Sequence, residues 1–244
     1  MKHNQVLIGR PFDRTFTYSF DKKLRPGTVV TVNFAGGNTY GMVTDDKQST
    51  DVDPDKIKAI QEVMPLNLNE SDISFINTVS DYNLAFKGMI FKQVVPRGVL
   101  DKYQEHEPIK YSFNLHKLSV EQSQVCDAIA SHGDGFGVHL IDGETGSGKT
   151  EVYLKLASYL IEQGHQVLIL LPEIVLTNQP LQRFTERLGV KPTEWHSRLG
   201  AKARRENFQQ IMTGKTQFII GARSALFLPY HNLKMIVVDE EHDR

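Results

Sequence analysis

Gly143-Glu144-Thr145-Gly146-Ser147-Gly148-Lys149-Thr150 carries the spacing G-x-x-x-x-G-K-[ST]. Glycines at this spacing let successive backbone N–H groups turn inward around a triphosphate, and a helix starting at its end adds its positive dipole. Lys149 is then placed to reach the β- and γ-phosphates, and the Thr150 hydroxyl to ligate Mg²⁺. The second cluster able to do chemistry is Asp239-Glu240-Glu241-His242, delivered by the apolar run Met235–Val238. A carboxylate at such a strand end, opposite Thr150, would hold the metal through Asp239, while Glu240 would take or orient the proton of an attacking water. The expected ligand is ATP with Mg²⁺, and the expected catalytic residues are Lys149, Asp239 and Glu240.

Two further segments supply donors. Leu171–Thr177 and Gly221–Pro229 each follow an apolar run and bring hydroxyls, backbone N–H groups and one arginine, with Thr177, Arg223 and Ser224 as the donors that could grip a phosphate backbone without reading bases. A helix cap at Pro172-Glu173 and an ordinary hairpin at 221–229 are the structural alternatives. Trp195-His196-Ser197 pairs a serine with a histidine but shows no acid partner and no nucleophile elbow, so it reads as a strand end.

These residues need elements to hold them. Gly137–Asp142 is a short aliphatic, β-branched run that predicts a buried strand leading into the glycine loop, and the apolar spacing after Thr150 predicts a helix ending at Gly164. Ser119 with Gln122 three positions on makes a capping box for a helix through Val125 and Ile129. Beyond the loop the pattern predicts strands at 167–171, 217–221 and 235–238 and helices at 175–188 and 201–212. Strands interleaved with helices imply an α/β lobe on a parallel sheet. The amino-terminal part differs: Gln5–Ile8, Phe16–Phe20, Thr28–Phe34 and Thr39–Thr44 read as short strands, with Ala35–Asn38 closing a hairpin and Ile57–Val63 adding another strand. That pattern suggests a small barrel or curled sheet. Asn69 then caps a helix through Val79, and a second apolar segment runs from Leu84 to Val95. The aspartates between Asp45 and Asp55 lack the glycine and terminal glutamate of a calcium loop and read as a solvated acidic turn. The expected division is a mostly-β domain at 1–98, a linker at 99–117 and the P-loop lobe at 118–244.

Formal net charge is −1, and neither half is basic, so any nucleic acid must meet a local surface rather than a basic domain. A single cysteine, Cys126, excludes an internal disulfide framework and a cysteine-rich zinc site. The first residues mix charge and polarity unlike a secretory leader, and no apolar run approaches the ~20 residues of a membrane span, which points to the cytoplasm and to no membrane partner.

Taken together, Gln122, residues 143–150, Leu171–Thr177, Gly221–Pro229 and Asp239–His242 resemble the superfamily 2 DNA helicases, and the spellings GETGSGKTEVYL, LPEIVLT, GARSALFLP and DEEHD are most similar to the bacterial replication-restart helicases. The resemblance reaches the amino end through Arg14–Tyr18, Val32–Gly36 and Tyr82–Pro96. It implies a RecA-like, P-loop motor lobe preceded by a small mostly-β domain that binds DNA 3′ ends, with Phe16, Thr17, Ala35, Gly36 and Lys58 around the last nucleotide. It implies that Gln122 reads adenine, with the capping-box role alone as the alternative and both able to hold, and that Gly143, Glu144, Thr145, Gly146, Ser147, Gly148, Lys149 and Thr150 form the nucleotide cradle. The partners implied are forked and single-stranded DNA with a 3′ end, single-strand-binding protein and primosome proteins. Thr17 and Ala35 depart from the family's usual Asp and Gly. The family's winged-helix domain has no room in 99–117, and its second motor lobe and zinc module do not follow within residues 1–244, so the lobe is expected to be incomplete and inactive as a motor by itself. The alternative is a non-motor DNA-end-binding module with a vestigial ATP site. A P-loop kinase or transporter ATPase fits poorly with the segments at 221–229 and 239–242.

Overall fold

The computed structural model describes residues 1–244 other than 46–52, 54–55, 134, 145, 174–177 and 240–244. Most of the acidic turn at 45–55 therefore lies outside the described residues, as do Thr145, Thr177 and Glu240. The chain divides into two compact units: residues 1–105 with 200–212 and 227–229, and residues 106–199 with 213–226 and 230–244.

The first unit is built on a five-stranded antiparallel sheet. Its strands are β1 (Lys2–Ile8), β2 (Phe16–Phe20), β3 (Thr28–Phe34), β4 (Gly37–Thr44) and β5 (Ile60–Asn67), in the order β2-β1-β4-β3-β5. The alternation of β3 places Val30 and Val32 inward, where they meet Val6, Ile8, Tyr18, Val43 and Ile60. The sheet curls until its first edge meets the approach to β5, and Ser19 N–H donates to Lys58 O at 2.9 Å. Helix α1 (Glu70–Asn83) starts at a complete capping box between Asn69 and Asp72. Helix α2 (Lys87–Val94) lies against the end of β1 through Gly88, where a Cβ would overlap the carbonyl oxygens of Ile8 and Arg10.

The second unit carries α3 (Val120–Ala130), α4 (Lys149–Glu162), β6 (Gln166–Leu170), α5 (Asn178–Leu188), β7 (Thr193–Trp195), β8 (Phe218–Gly221) and β9 (Leu233–Val238). Its four strands pair in parallel in the order β7-β8-β6-β9. Central β6 is buried along its whole length, as a parallel strand covered on both faces must be. Tyr153, Leu154, Ala157 and Ile161 of α4 and Leu181, Phe184 and Leu188 of α5 close on Val167, Ile169, Phe218 and Ile220. Helix α6 (Ala201–Met212) groups with the first unit, where buried Gln209 donates to Val99 O at 3.1 Å and accepts from Gln104 N at 3.2 Å.

Two stretches differ from the sequence pattern. The buried strand expected at Gly137–Asp142 is not formed: the segment has no ladder, and Val138 and Leu140 are 85% and 92% exposed. Local contacts compete for it. The His132 ring fills the space beside Gly137, meets His139 edge-to-face at 5.0 Å and lies 3.3 Å from Phe136 O. Glycines at 135, 137 and 143 add backbone entropy that opposes an extended ladder. In the interval 99–117, residues 99–105 belong to the first unit and 106–117 to the second. There Tyr111, Phe113 and Leu115 pack on the core, Ser112 and Asn114 N–H donate to Leu188 O and Arg187 O, and the Tyr111 hydroxyl accepts from the N–H groups of Gln217 and Phe218.

Candidate functional site

The glycine loop leads directly into α4. Gly146 and Gly148 adopt φ of 85° and 83°, left-handed values at which a side chain would be strained. Gly148 is the N-cap and offers no side-chain cap bond, so the N–H groups of Lys149 and Thr150 that open α4 have no side-chain cap acceptor among the described residues. Lys149 Nζ donates to Gly143 O at 2.5 Å and Glu144 O at 3.2 Å, which keeps its ammonium inside the loop's own curve. Gln122 meets the loop from the other side: its Oε1 accepts from Ser119 N–H at 2.9 Å and its Nε2 donates to Ser147 O at 3.1 Å. The capping box is thus formed, and the same amide braces the loop at Gly148, where a Cβ would overlap Gln122 Nε2.

Asp239 arrives at the end of β9, its N–H donating to Leu170 O at 3.0 Å and continuing the β6–β9 ladder. The Tyr153 hydroxyl, one turn into α4 and with its residue 3% exposed, donates to Asp239 Oδ2 at 2.8 Å and stands 3.5 Å from Thr150 Oγ1. The hydroxyl of the loop and the carboxylate of the strand therefore flank a single phenol. Mg²⁺ keeps several waters and takes one or two protein oxygens plus substrate phosphates, and this sparse oxygen set fits it. Among the described residues no group of three or more His, Cys, Asp or Glu could hold a metal without such phosphates. The first turn of α4 is also tied to α5: Arg187 Nε and Nη2 donate to Glu151 Oε1 at 3.1 and 3.0 Å, and His116 Nδ1 is 3.3 Å from the same oxygen. Sequence reasoning missed Tyr153 and Arg187. An acidic residue in a helix's first turn was the visible signal for Glu151, but nothing in spacing pairs it with a position on another helix.

Past β8, residues Arg223–Phe227 form a 3₁₀ turn rather than a hairpin, with Arg223 and Ser224 exposed on it. At the neighbouring strand end Glu173 accepts both the N–H and the hydroxyl of Ser197, and these bonds, the hydroxyl's first, hold its carboxyl below the usual range. His196 instead lies buried 3.2 Å from Glu194. Ser197 and His196 engage different partners, as a strand end rather than a catalytic pair requires.

In the first unit, Phe16 begins β2 and Ala35-Gly36 make the β3–β4 turn, with Phe34 paired to Gly37 across it. Phe16 and Phe34 meet at 4.9 Å, edge-to-face, and Phe12 joins both. The Arg14 guanidinium lies 5.0 Å from the Phe16 ring centre and 5.6 Å from that of Phe12. Lys58 Nζ donates to Asn33 Oδ1 at 3.0 Å, and Thr17 Oγ1 accepts from Gln5 Nε2 at 3.0 Å. Ala35 and Gly36 have φ of 48° and 82°, the sign pattern of a type I′ hairpin turn, which suits glycine or asparagine better than alanine. Nothing in the spacing along the chain gives Arg14 a role; its place over the two rings comes from the fold.

Residues 119–244 match the DEAD/DEAH box helicase model. The chain belongs to the DEAD/DEAH box helicase family. Residues 5–96 match a 3′DNA-binding domain (3′BD) model. Along its length the chain is similar to proteins named replication restart protein PriA. With that of Rickettsia typhi it is 37% identical over 240 residues, 97% of this chain and 36% of the relative. With that of Haemophilus influenzae it is 36% identical over 188 residues, 76% of this chain and 26% of the relative. With that of Bacillus subtilis it is 34% identical over 161 residues, 62% of this chain and 20% of the relative. The chain thus spans about a third or less of the length of these relatives. A small β-rich domain followed by a partial RecA-like helicase lobe is the architecture it has, and no helix among the described residues is long and apolar enough to cross a membrane.

Proposed function

We propose that this chain is the nucleotide-binding lobe and the DNA-end-binding domain of an ATP-dependent DNA helicase that acts in replication restart. The observation that carries the reading is the convergence of Thr150 and Asp239 on one phenol beside the glycine loop, which brings the two oxygens a nucleotide-bound Mg²⁺ needs to one place. Lys149 moves from the loop carbonyls onto the β- and γ-phosphates, a charge-assisted exchange. The loop N–H groups take the phosphate oxygens, Gln122 lies beside the base, and Glu240 orients the attacking water. Mg²⁺, when bound, neutralises charge on the β- and γ-phosphate oxygens. Thr177, Arg223 and Ser224 hold the DNA backbone, and Phe16, Thr17, Ala35, Gly36 and Lys58 receive a strand's 3′ end. Single-strand-binding protein and primosome proteins are the partners that the likeness to replication-restart helicases suggests.

Residues 1–244 alone, a third of the relatives' length, bind nucleotide and DNA without appreciable turnover in this reading. Phosphate release on forked DNA tests the coupling. Robust DNA-dependent turnover is expected from the full-length protein, and its absence there contradicts a motor role. The end-binding part is tested separately with single strands ending in a 3′-hydroxyl or a 3′-phosphate. Tighter binding of the hydroxyl is expected; equal affinities contradict the pocket assigned to Phe16, Thr17, Ala35, Gly36 and Lys58.

A further inference from the structure

Beside the residues discussed so far, the first unit has a small cleft of about 110 Å³ whose walls include Arg10, Lys92 and Arg97 together with Asn38, Tyr40 and Phe91. The three cations come from three places in the chain: the exit of β1, the last turn of α2 and the segment after it. All three side chains are exposed, and none has a carboxylate partner among the described residues. A helix C-terminus attracts cations, which accounts for Lys92 and in part for Arg97. It does not account for Arg10.

The three are held on one frame. Gly9 N–H donates to Tyr40 O at 3.2 Å, which fixes the chain at Arg10 to β4. Gly88 seats α2 directly on the carbonyls of Ile8 and Arg10, and an added Cβ at Gly9 would touch Lys92 Cβ at 3.6 Å. The Tyr40 hydroxyl donates to Asp101 at 2.5 Å and accepts from Leu100 N–H at 3.3 Å, tying the segment after Arg97 to the same strand. Three like charges on a fixed frame, none within 4 Å of a carboxylate among the described residues and with Asp101 engaged by the Tyr40 hydroxyl instead, are arranged for an external anion. At about 110 Å³ the cleft is well below the roughly 300 Å³ at which small-molecule pockets begin, so it suits one anionic group whose remainder lies in solvent. The ladder register puts the exit of β1 and the start of β4 at the same end of the sheet as Phe16 and the turn at Ala35-Gly36.

We propose that this cleft binds a backbone phosphodiester of the DNA strand whose end the first unit receives, as an anchoring point separate from Phe16, Thr17, Ala35, Gly36 and Lys58. The proposal rests on the reading of this unit as DNA-binding. Arg10 and Arg97 supply planar forks matched to a phosphate, and Lys92 a point charge.

The test uses the whole chain and a fluorescent single-stranded oligonucleotide, with anisotropy titrations across a range of KCl concentrations. The triple variant Arg10→Ala, Lys92→Ala, Arg97→Ala is expected to bind about tenfold more weakly at moderate salt. Its plot of log affinity against log salt should be shallower by about 0.7, the contribution of one neutralised single-strand phosphate. The charge-preserving variant Arg10→Lys, Arg97→Lys should keep the slope, which separates loss of charge from misfolding. The preference for a 3′-hydroxyl over a 3′-phosphate should persist in both. A triple variant with wild-type affinity and slope overturns the proposal while leaving end recognition intact; wild-type protein that binds no DNA overturns both. A second arm adds inorganic phosphate to the wild-type complex at constant ionic strength. Displacement at low millimolar phosphate, lost in the triple variant, would mark a free-anion site and overturn the phosphodiester reading.

Discussion

Tyr153→Phe removes one oxygen atom and leaves the aromatic ring that packs in the core of the second unit. The lost atom is the donor to Asp239 Oδ2 at 2.8 Å and the neighbour of Thr150 Oγ1 at 3.5 Å. A hydrogen bond to a charged group is worth about 1.5–3 kcal/mol net. Asp239 is only partly buried, so water recovers some of this and the lower end, about 1.5 kcal/mol, applies. That is roughly a tenfold change in an equilibrium constant. The loss falls on the orientation of a carboxylate whose other oxygen is the proposed metal ligand, and partners of this kind typically cost about 10–100-fold in metal affinity when removed. Titration of a fluorescent ATP analogue should therefore show about tenfold weaker binding in the presence of Mg²⁺, and a change of less than about twofold in its absence. Equal losses with and without Mg²⁺ would mean that Tyr153 supports the loop and not the metal site. No loss in either condition would refute the coupling of Thr150 and Asp239 through the phenol.

Ala35→Gly should stabilise the protein by about 0.5–1 kcal/mol in chemical denaturation, because a left-handed alanine costs about 1–2 kcal/mol and glycine returns part of that as unfolded-chain entropy; a loss of stability would show that the turn is not strained. Arg187→Ala should lower stability by about 1–2 kcal/mol, and a double-mutant cycle with Glu151→Gln should give a coupling of at least about 0.5 kcal/mol, since the pair is largely shielded from solvent; additive losses would contradict the bridge. Burial pushes the phenol pKa of Tyr18, Tyr40 and Tyr230 up, so it opposes their ionisation, with the Asp101 hydrogen bond and charge adding to it for Tyr40. Above about pH 10 the unfolded chain then releases protons that the folded chain retains, so stability is complete below pH 10 and falls as pH rises past it. Tyr230→Phe should flatten that alkaline decline, and a decline of unchanged steepness would argue against its burial in solution.

The elements that could be read from residues are those whose local chemistry and tertiary setting agree. Asn69 and Asp72 cap α1 by bonds that involve only neighbours in sequence, and Ser119 and Gln122 do the same for α3. The glycine loop is legible because positive φ at Gly146 and Gly148 restricts those positions to one residue type. Gly137–Asp142 shows the limit. Its composition suits a strand, but a strand requires a partner edge, and here His132 and the flanking glycines hold the segment elsewhere. Tyr111, Phe113 and Leu115 alternate as a half-buried extended segment does, yet five residues among charged neighbours made too short a period to stand out. Along the chain Tyr153 counts only as an apolar position of α4. Its second role depends on β9 reaching Asp239 to the same place, a long-range fact that no spacing along the chain contains.

The function proposed for this chain requires that the loop at 143–150 hold the phosphates of ATP–Mg²⁺ through Lys149. Isothermal titration of ATP–Mg²⁺ into the chain and into its Lys149→Ala variant, with melting curves to establish that both are folded, measures this directly. Saturable one-to-one binding, weakened at least about tenfold by the substitution through loss of a charge-assisted phosphate contact, is expected. Binding of equal strength to the two proteins would contradict it.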